Sequence, residues 1–191
     1  MLHFFGILAG LLALVATIPY LRDILKGTTR PNKVSWLIWV ILQTIALLSQ
    51  WASGGKDSLL LTIGDLAASA TILVLAFYKG ESKWHWLDRL ALIGAGAGLI
   101  LWYILNQPVI ALMMTIFVDF CGVAPTLRKA YVDPQSETMS TWLLVGIGAV
   151  FGALAVGKLN ATLLVYPLYL MCANLGVAVA MGLGRLRRKA T

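Results

Sequence analysis

Residues 18–37, IPYLRDILKGTTRPNKVSWL, and residues 124–143, APTLRKAYVDPQSETMSTWL, align without a gap at an offset of 106 positions. Pro19 meets Pro125, Leu21 meets Leu127, Arg22 meets Arg128, Trp36 meets Trp142 and Leu37 meets Leu143, with Ser35 opposite Thr141. Five identities in twenty is a modest score, but they fall at one structural place. Each copy reads as an apolar helix with Pro near its end, then a basic turn, then a polar loop, then Ser or Thr and Trp opening the next helix. Gly55-Lys56 matches Gly157-Lys158 farther on, after a four-residue gap. The chain therefore reads as two copies of one unit.

The surroundings of the repeat set its solvent. The 191 residues are 60% hydrophobic and 12% charged, with a mean hydropathy of +0.85. An average soluble domain carries roughly 25% charge, so an ordinary soluble enzyme is excluded. A membrane-spanning helix needs about 20 apolar residues, and apolar runs punctuated by turn signals predict seven spans, over 3–21, 34–52, 58–78, 87–105, 108–131, 139–157 and 161–183. The polar clusters Gly27 to Asn32 and Asp133 to Thr138 break the pattern, as do Ser53-Gly54-Gly55 and Asn106-Gln107-Pro108. Met1 to Tyr20 has no basic residue before its apolar run and reads as a retained first helix rather than a cleaved signal peptide. Cys121 and Cys172 both lie in apolar runs and form no disulfide or metal-binding pattern.

Short connections make consecutive spans antiparallel, and the basic residues then sort by side. Arg22, Lys26, Arg30, Lys33, Lys79, Lys83, Arg89, Arg128, Lys129, Arg185, Arg187, Arg188 and Lys189 share one side, against Lys56 and Lys158 on the other. The positive-inside rule makes the first side cytoplasmic, with the N-terminus outside and the C-terminus inside, in a plasma (inner) membrane. The formal charge of +7 is thus a topology signal and not a nucleic-acid footprint. Anionic lipid headgroups suit the cluster from Arg185 to Lys189.

The offset pairs span 1 with span 5, so an even number of spans separates equivalent helices and the two triplets have the same orientation. The fold class expected is an all-α integral membrane protein with two parallel three-helix repeats joined by a linker helix. Residues 1–80 form the first repeat, 81–106 the linker, 107–184 the second repeat and 185–191 a basic cytoplasmic tail. Gly94 to Gly98 would let the linker pack closely. The Gly148 to Gly152 spacing serves packing within the bundle.

The constellation Pro19-Tyr20-Leu21-Arg22 with Ser35-Trp36, and Pro125-Thr126-Leu127-Arg128 with Ser136 to Trp142, resembles the PQ-loop superfamily. That superfamily includes the SWEET and SemiSWEET sugar transporters, cystinosin-like transporters and the structurally similar KDEL receptors. The three-plus-one-plus-three layout and the outside N-terminus match as well. The Gln that follows the family's Pro is Tyr20 in the first copy and Thr126 in the second. The resemblance implies alternating-access transport, with Pro19 and Pro125 as hinges and Asn174 in span 7 as a substrate contact. The family's partner Asn in the third span falls at Thr71 or Ile72, so its paired amides are not reproduced.

Two carboxylates lie inside apolar runs, Asp65 in span 3 and Asp119 in span 5. An ionised Asp at the bilayer centre costs about 2.5–3.5 kcal/mol on insertion scales, so such residues face the bundle interior or a water-filled cavity. At about 1.5 Å per residue they sit roughly 10 Å and roughly 15 Å deep, and both can line one pathway. They are candidates to bind a proton, a cation or a cationic group of the substrate; the bland alternative ties helices together through Gln43, Thr62 or Thr115. Gln43, near the middle of span 2, is a further candidate pocket group. Trp36, Trp39, Trp51 and Trp142 read as an aromatic belt, with Trp36 and Trp142 set apart by the repeat.

No catalytic motif is visible, and an aspartyl dyad is disfavoured by the differing depths, so the chain is not expected to be an enzyme. No cofactor or metal is expected. The main expectation is a transporter of a sugar or other small polar solute, with proton coupling through buried Asp as its accompaniment; facilitated passage of neutral sugars is the variant within that class. The rival is a membrane receptor or sensor with the same fold that binds a ligand without moving it.

Overall fold

The computed structural model describes residues 1–27, 31, 33–80, 86–135 and 138–190. Side chains at 87, 88, 91, 95, 98, 99, 121, 122, 124, 125, 129, 189 and 190 lie outside that description. Among the described residues the chain is helical without strands, running α1 (Leu2–Lys26), α2 (Lys33–Ala52), α3 (Leu59–Lys79), α4 (Trp86–Leu105), α5 (Pro108–Val132), α6 (Met139–Leu154) and α7 (Ala161–Ala190). Four of these, α1, α2, α3 and α7, are long and apolar enough to cross a membrane.

The helix ends follow the punctuation in the sequence. Gly27 adopts a left-handed conformation and closes α1 by donating its N–H to carbonyls of the last turn. Asn160 Oδ1 accepts from the Leu163 N–H and so caps α7. Two differences from expectation appear. α6 stops at Leu154 rather than at 157, because the chain turns there toward Gly157, whose φ is 69°. The basic segment from Arg185 is not a tail but the last turns of α7. Arg188 there donates to Val132 O and Asp133 Oδ1, both at 2.9 Å, and Arg187 lies over the Tyr131 ring. The basic residues thus clasp the α5–α6 turn as well as carrying charge.

Two ends of the bundle can be told apart. α1 starts at what we term the N-terminal end and finishes at the basic end, where Lys79 Nζ donates to Leu25 O. At the N-terminal end His3 meets Asp57 at 2.8 Å, so α1 and α3 run parallel. α2 runs against α3, as the Gln50–Thr62 hydrogen bond requires.

α3 packs against both α1 and α2, and α7 against both α5 and α6. Between these groups α1 lies on α6 and α2 on α5, with lesser contacts of α3 on α6 and α2 on α7. α4 rests mainly on α5. Small residues allow the closest approaches. A Cβ on Gly64 would come within 2.6 Å of Gly10 O, where α3 crosses α1. Gly148 faces the α1 backbone at Ala9 and Gly152 faces Leu61, so this pair does serve packing inside the bundle. Hydroxyls on these helices mostly bond the carbonyl four residues back, as Thr17, Thr44, Ser53 and Thr71 do.

Candidate functional site

Side chains of four helices converge on the two carboxylates. Asp119 on α5 accepts a hydrogen bond from Tyr169 Oη on α7, and the Trp39 indole of α2 lies close enough to interact with it. Asp65 on α3 is buried and lies close enough to Asp119 for the two charges to interact. Tyr166 on α7 is within electrostatic reach of both. Asp65 has no hydrogen bond or cationic partner among the described residues, and no Lys or Arg there is buried.

The local reasons are helical. On α2, Trp39, Gln43, Ala46 and Gln50 recur at three- and four-residue spacing and share one face. Ala46 packs with Leu112 and Tyr166, while Gln50 bonds Thr62 on α3 at 3.0 Å. On α3, Thr62, Asp65 and Ser69 form a buried polar face. On α7, Tyr166 and Tyr169 flank the buried Pro167.

Opposed contacts fix the levels along the bundle. Trp39 meets Asp119, and Ala46 shares a core cluster with Leu112, so Gln43 falls level with Thr115 across the α2–α5 contact. The Gln50–Thr62 bond places Asp65 level with Leu47. Counted along α2, Asp119 lies nearer the basic end than Asp65, with the Gln43–Thr115 level between them. Gln43 Oε1 and Thr115 Oγ1 are both buried and have no hydrogen-bond partner among the described residues.

The residues singled out from sequence are placed unequally. Asp65 and Asp119 lie within electrostatic reach of each other, and Gln43 lies one helical turn from Trp39 on α2. Asn174 is buried, but its amide donates to Leu170 O of its own helix at 2.8 Å, about one and a half turns beyond Tyr169 toward the basic end. Under the helix-tying alternative the carboxylates would bond Gln43, Thr62 or Thr115; instead Asp119 accepts from Tyr169 with Trp39 close by, and Thr62 pairs with Gln50. Trp39, read from the sequence as part of an aromatic belt, lies beside Asp119. It is half-buried against the cluster of Val34, Ile38, Leu42 and Val118. Tyr169 and Trp39 carried no sequence signal beyond lying on the same helical faces as other inward residues.

Pro19 lies inside α1. Pro125 falls within α5, with its side chain outside the described residues. In the first motif copy Tyr20 packs on Trp36 at 5.4 Å between centroids, and Trp36 packs edge-on against Trp39 at 4.8 Å. An aromatic row thus leads from the first motif to Asp119. In the second copy Trp142 and Leu127 pack on the Val123, Val177 and Met181 cluster. Thr141 donates to Ala16 O on α1, tying α6 to the region of Pro19. Arg22 and Arg128 are exposed at the basic end.

Among the described residues, cavities lie at both ends of the bundle, and neither of the two described next is lined by Asp65 or Asp119. One of about 480 Å³ lies at the basic end between Met139 and the last turns of α7. The other, about 260 Å³ at the N-terminal end, is lined by Lys56, Asp57, Ser58 and Lys158 on the two Gly-Lys turns. Comparison of the chain with known protein families, with curated proteins and with solved structures finds no match.

Proposed function

We propose that the chain is an integral membrane transporter of a small polar solute, a sugar or similar metabolite, with seven spans in a PQ-loop-like arrangement. Residues 1–80 and 107–184 are the two parallel three-helix repeats, 81–106 the linker, and the basic residues from Arg185 lie on the cytoplasmic side. The N-terminus is outside and the C-terminus inside a plasma membrane. The helix contacts favour this reading, because they are preserved when α1, α2 and α3 are exchanged for α5, α6 and α7, as a two-fold axis along the membrane normal requires.

The observation that supports the function is that Asp65 from one repeat and Asp119 from the other are buried within electrostatic reach of each other, away from the cavities described at the bundle ends. Charged residues at such depth mark ion and substrate pathways. In the proposed cycle the two triplets rock about this level, Pro19 and Pro125 act as hinges, and the carboxylates bind the coupling proton or cation. Tyr169 and Trp39 hold the Asp119 carboxylate in place, and Gln43 supplies a further polar contact; Asn174 lines the route toward the basic end.

A thermal-shift screen of sugars, amino acids and nucleosides on wild type and Asp119→Asn, followed by uptake of each stabilising solute into proteoliposomes with and without a pH gradient, tests the proposal. Accumulation that Asp119→Asn abolishes supports it. A ligand that stabilises the protein yet shows no counterflow makes the chain a receptor instead.

A further inference from the structure

We propose that Gln43 Oε1, Thr115 Oγ1 and the Asp119 carboxylate together bind one monovalent alkali cation between α2 and α5. The inference rests on the transporter reading and names the ion held at its central site. It begins from two of the three buried oxygens left without a partner among the described residues, Gln43 Oε1 and Thr115 Oγ1, the third being Ser49 Oγ. Leaving a buried polar atom unpaired costs about 1–3 kcal/mol, and here two such atoms on facing helices share one level. Thr115 is only 2% exposed.

Side-chain direction brings the third oxygen donor to them. Side chains tilt toward the N-terminus of their helix. α2 and α5 are antiparallel, so Gln43 and Asp119 lean toward one another, and Thr115 lies one turn from Asp119 on the same face of α5, at the level of Gln43. An amide carbonyl, a hydroxyl and a carboxylate make a hard, all-oxygen donor set, the kind that suits alkali and alkaline-earth ions and not soft metals.

Charge selects among those ions. Calcium–oxygen bonds are about 2.3–2.6 Å, and Asp65 lies beyond the Gln43–Thr115 level from Asp119, so the donor set assigned here holds one carboxylate. A single carboxylate neutralises a single charge. The groups facing this level from the other helices are Asp65 on α3 and Tyr166 and Tyr169 on α7, with no buried Lys or Arg among the described residues to compete for the carboxylates. Asp65 then adds long-range attraction without entering the coordination shell.

The test uses the purified full chain, melted in choline chloride, sodium chloride and potassium chloride at equal ionic strength and fixed pH. Sodium or potassium is expected to raise Tm saturably, by on the order of 3 °C at about tenfold excess over its dissociation constant. Thr115→Val is expected to melt normally in choline and to lose the rise, while Thr115→Ser, which keeps the oxygen, retains it. If Thr115→Val cannot be purified, Gln43→Met makes the same comparison. Equal Tm in all three salts, the signature of a bound water or an empty site, overturns the proposal; so does a full alkali response in Thr115→Val or Gln43→Met. Solute uptake that proceeds in choline medium, with no alkali shift, removes the cation site and leaves the transporter. An alkali shift without movement of any solute removes the transporter and leaves the cation site.

Discussion

Tyr169 and Asp119 show most sharply what a single contact contributes. A hydrogen bond to a charged group contributes about 1.5–3 kcal/mol, enough to offset much of the cost of a carboxylate at this depth. Tyr169→Phe should therefore lower thermal stability and weaken solute binding several-fold, with Asp119→Asn suppressing the difference between Tyr and Phe; a double-mutant cycle on Tm and on uptake measures both. The Gln50–Thr62 pair should show a smaller coupling, about 0.6 kcal/mol, because a polar pair in a membrane competes with partners in the unfolded state; the cycle Gln50→Leu with Thr62→Val reads it. The carboxylates themselves were legible in the sequence, since nothing but a partner or a pathway explains acids in such apolar runs. Their partners were not. Trp39 and Tyr169 are ordinary aromatic residues in an aromatic-rich chain, and only packing of α2, α5 and α7 reveals that their polar atoms turn inward.

At the scale of helices, the crossing of α1 and α3 depends on Gly10 and Gly64, whose backbones leave no room for a Cβ. Gly64→Val should cost about 1–3 kcal/mol through overpacking, seen as a lower Tm, whereas Gly96→Ala, with open space around it, should leave Tm nearly unchanged. The helices and their ends could be read closely from turn chemistry. Departures arose where tertiary contacts outlast local signals. α7 continues through Arg185 to Arg188 because Arg188 finds acceptors on the α5–α6 turn, a partner invisible to a reading that treats Lys and Arg as topology markers. Pro19 lies inside α1 without ending it, as membrane neighbours permit. Pro19→Ala is expected to slow turnover several-fold while leaving equilibrium binding of the solute nearly unchanged, which separates a hinge from a binding residue.

For the whole molecule, the repeat in residues 18–37 and 124–143 led to a bundle in which every principal helix contact of one triplet has its counterpart in the other. The asymmetry lies in chemistry as well as in the one-sided seat of α4: Asp65 and Asp119 occupy non-equivalent positions, and the tilted Tyr20–Trp36 pair belongs to the first copy. In a background lacking Cys121 and Cys172, Lys56→Cys should react with a membrane-impermeant thiol reagent added outside intact cells, and Arg187→Cys only after permeabilisation. The reverse pattern would invert the proposed orientation. The transport claim is met most directly by uptake of radiolabelled sugars, amino acids and nucleosides into proteoliposomes containing wild type or Asp119→Asn. The account predicts accumulation of at least one solute above empty vesicles in wild type and its loss in Asp119→Asn. Equal uptake by the two proteins, or a solute that binds both and crosses with neither, would contradict it.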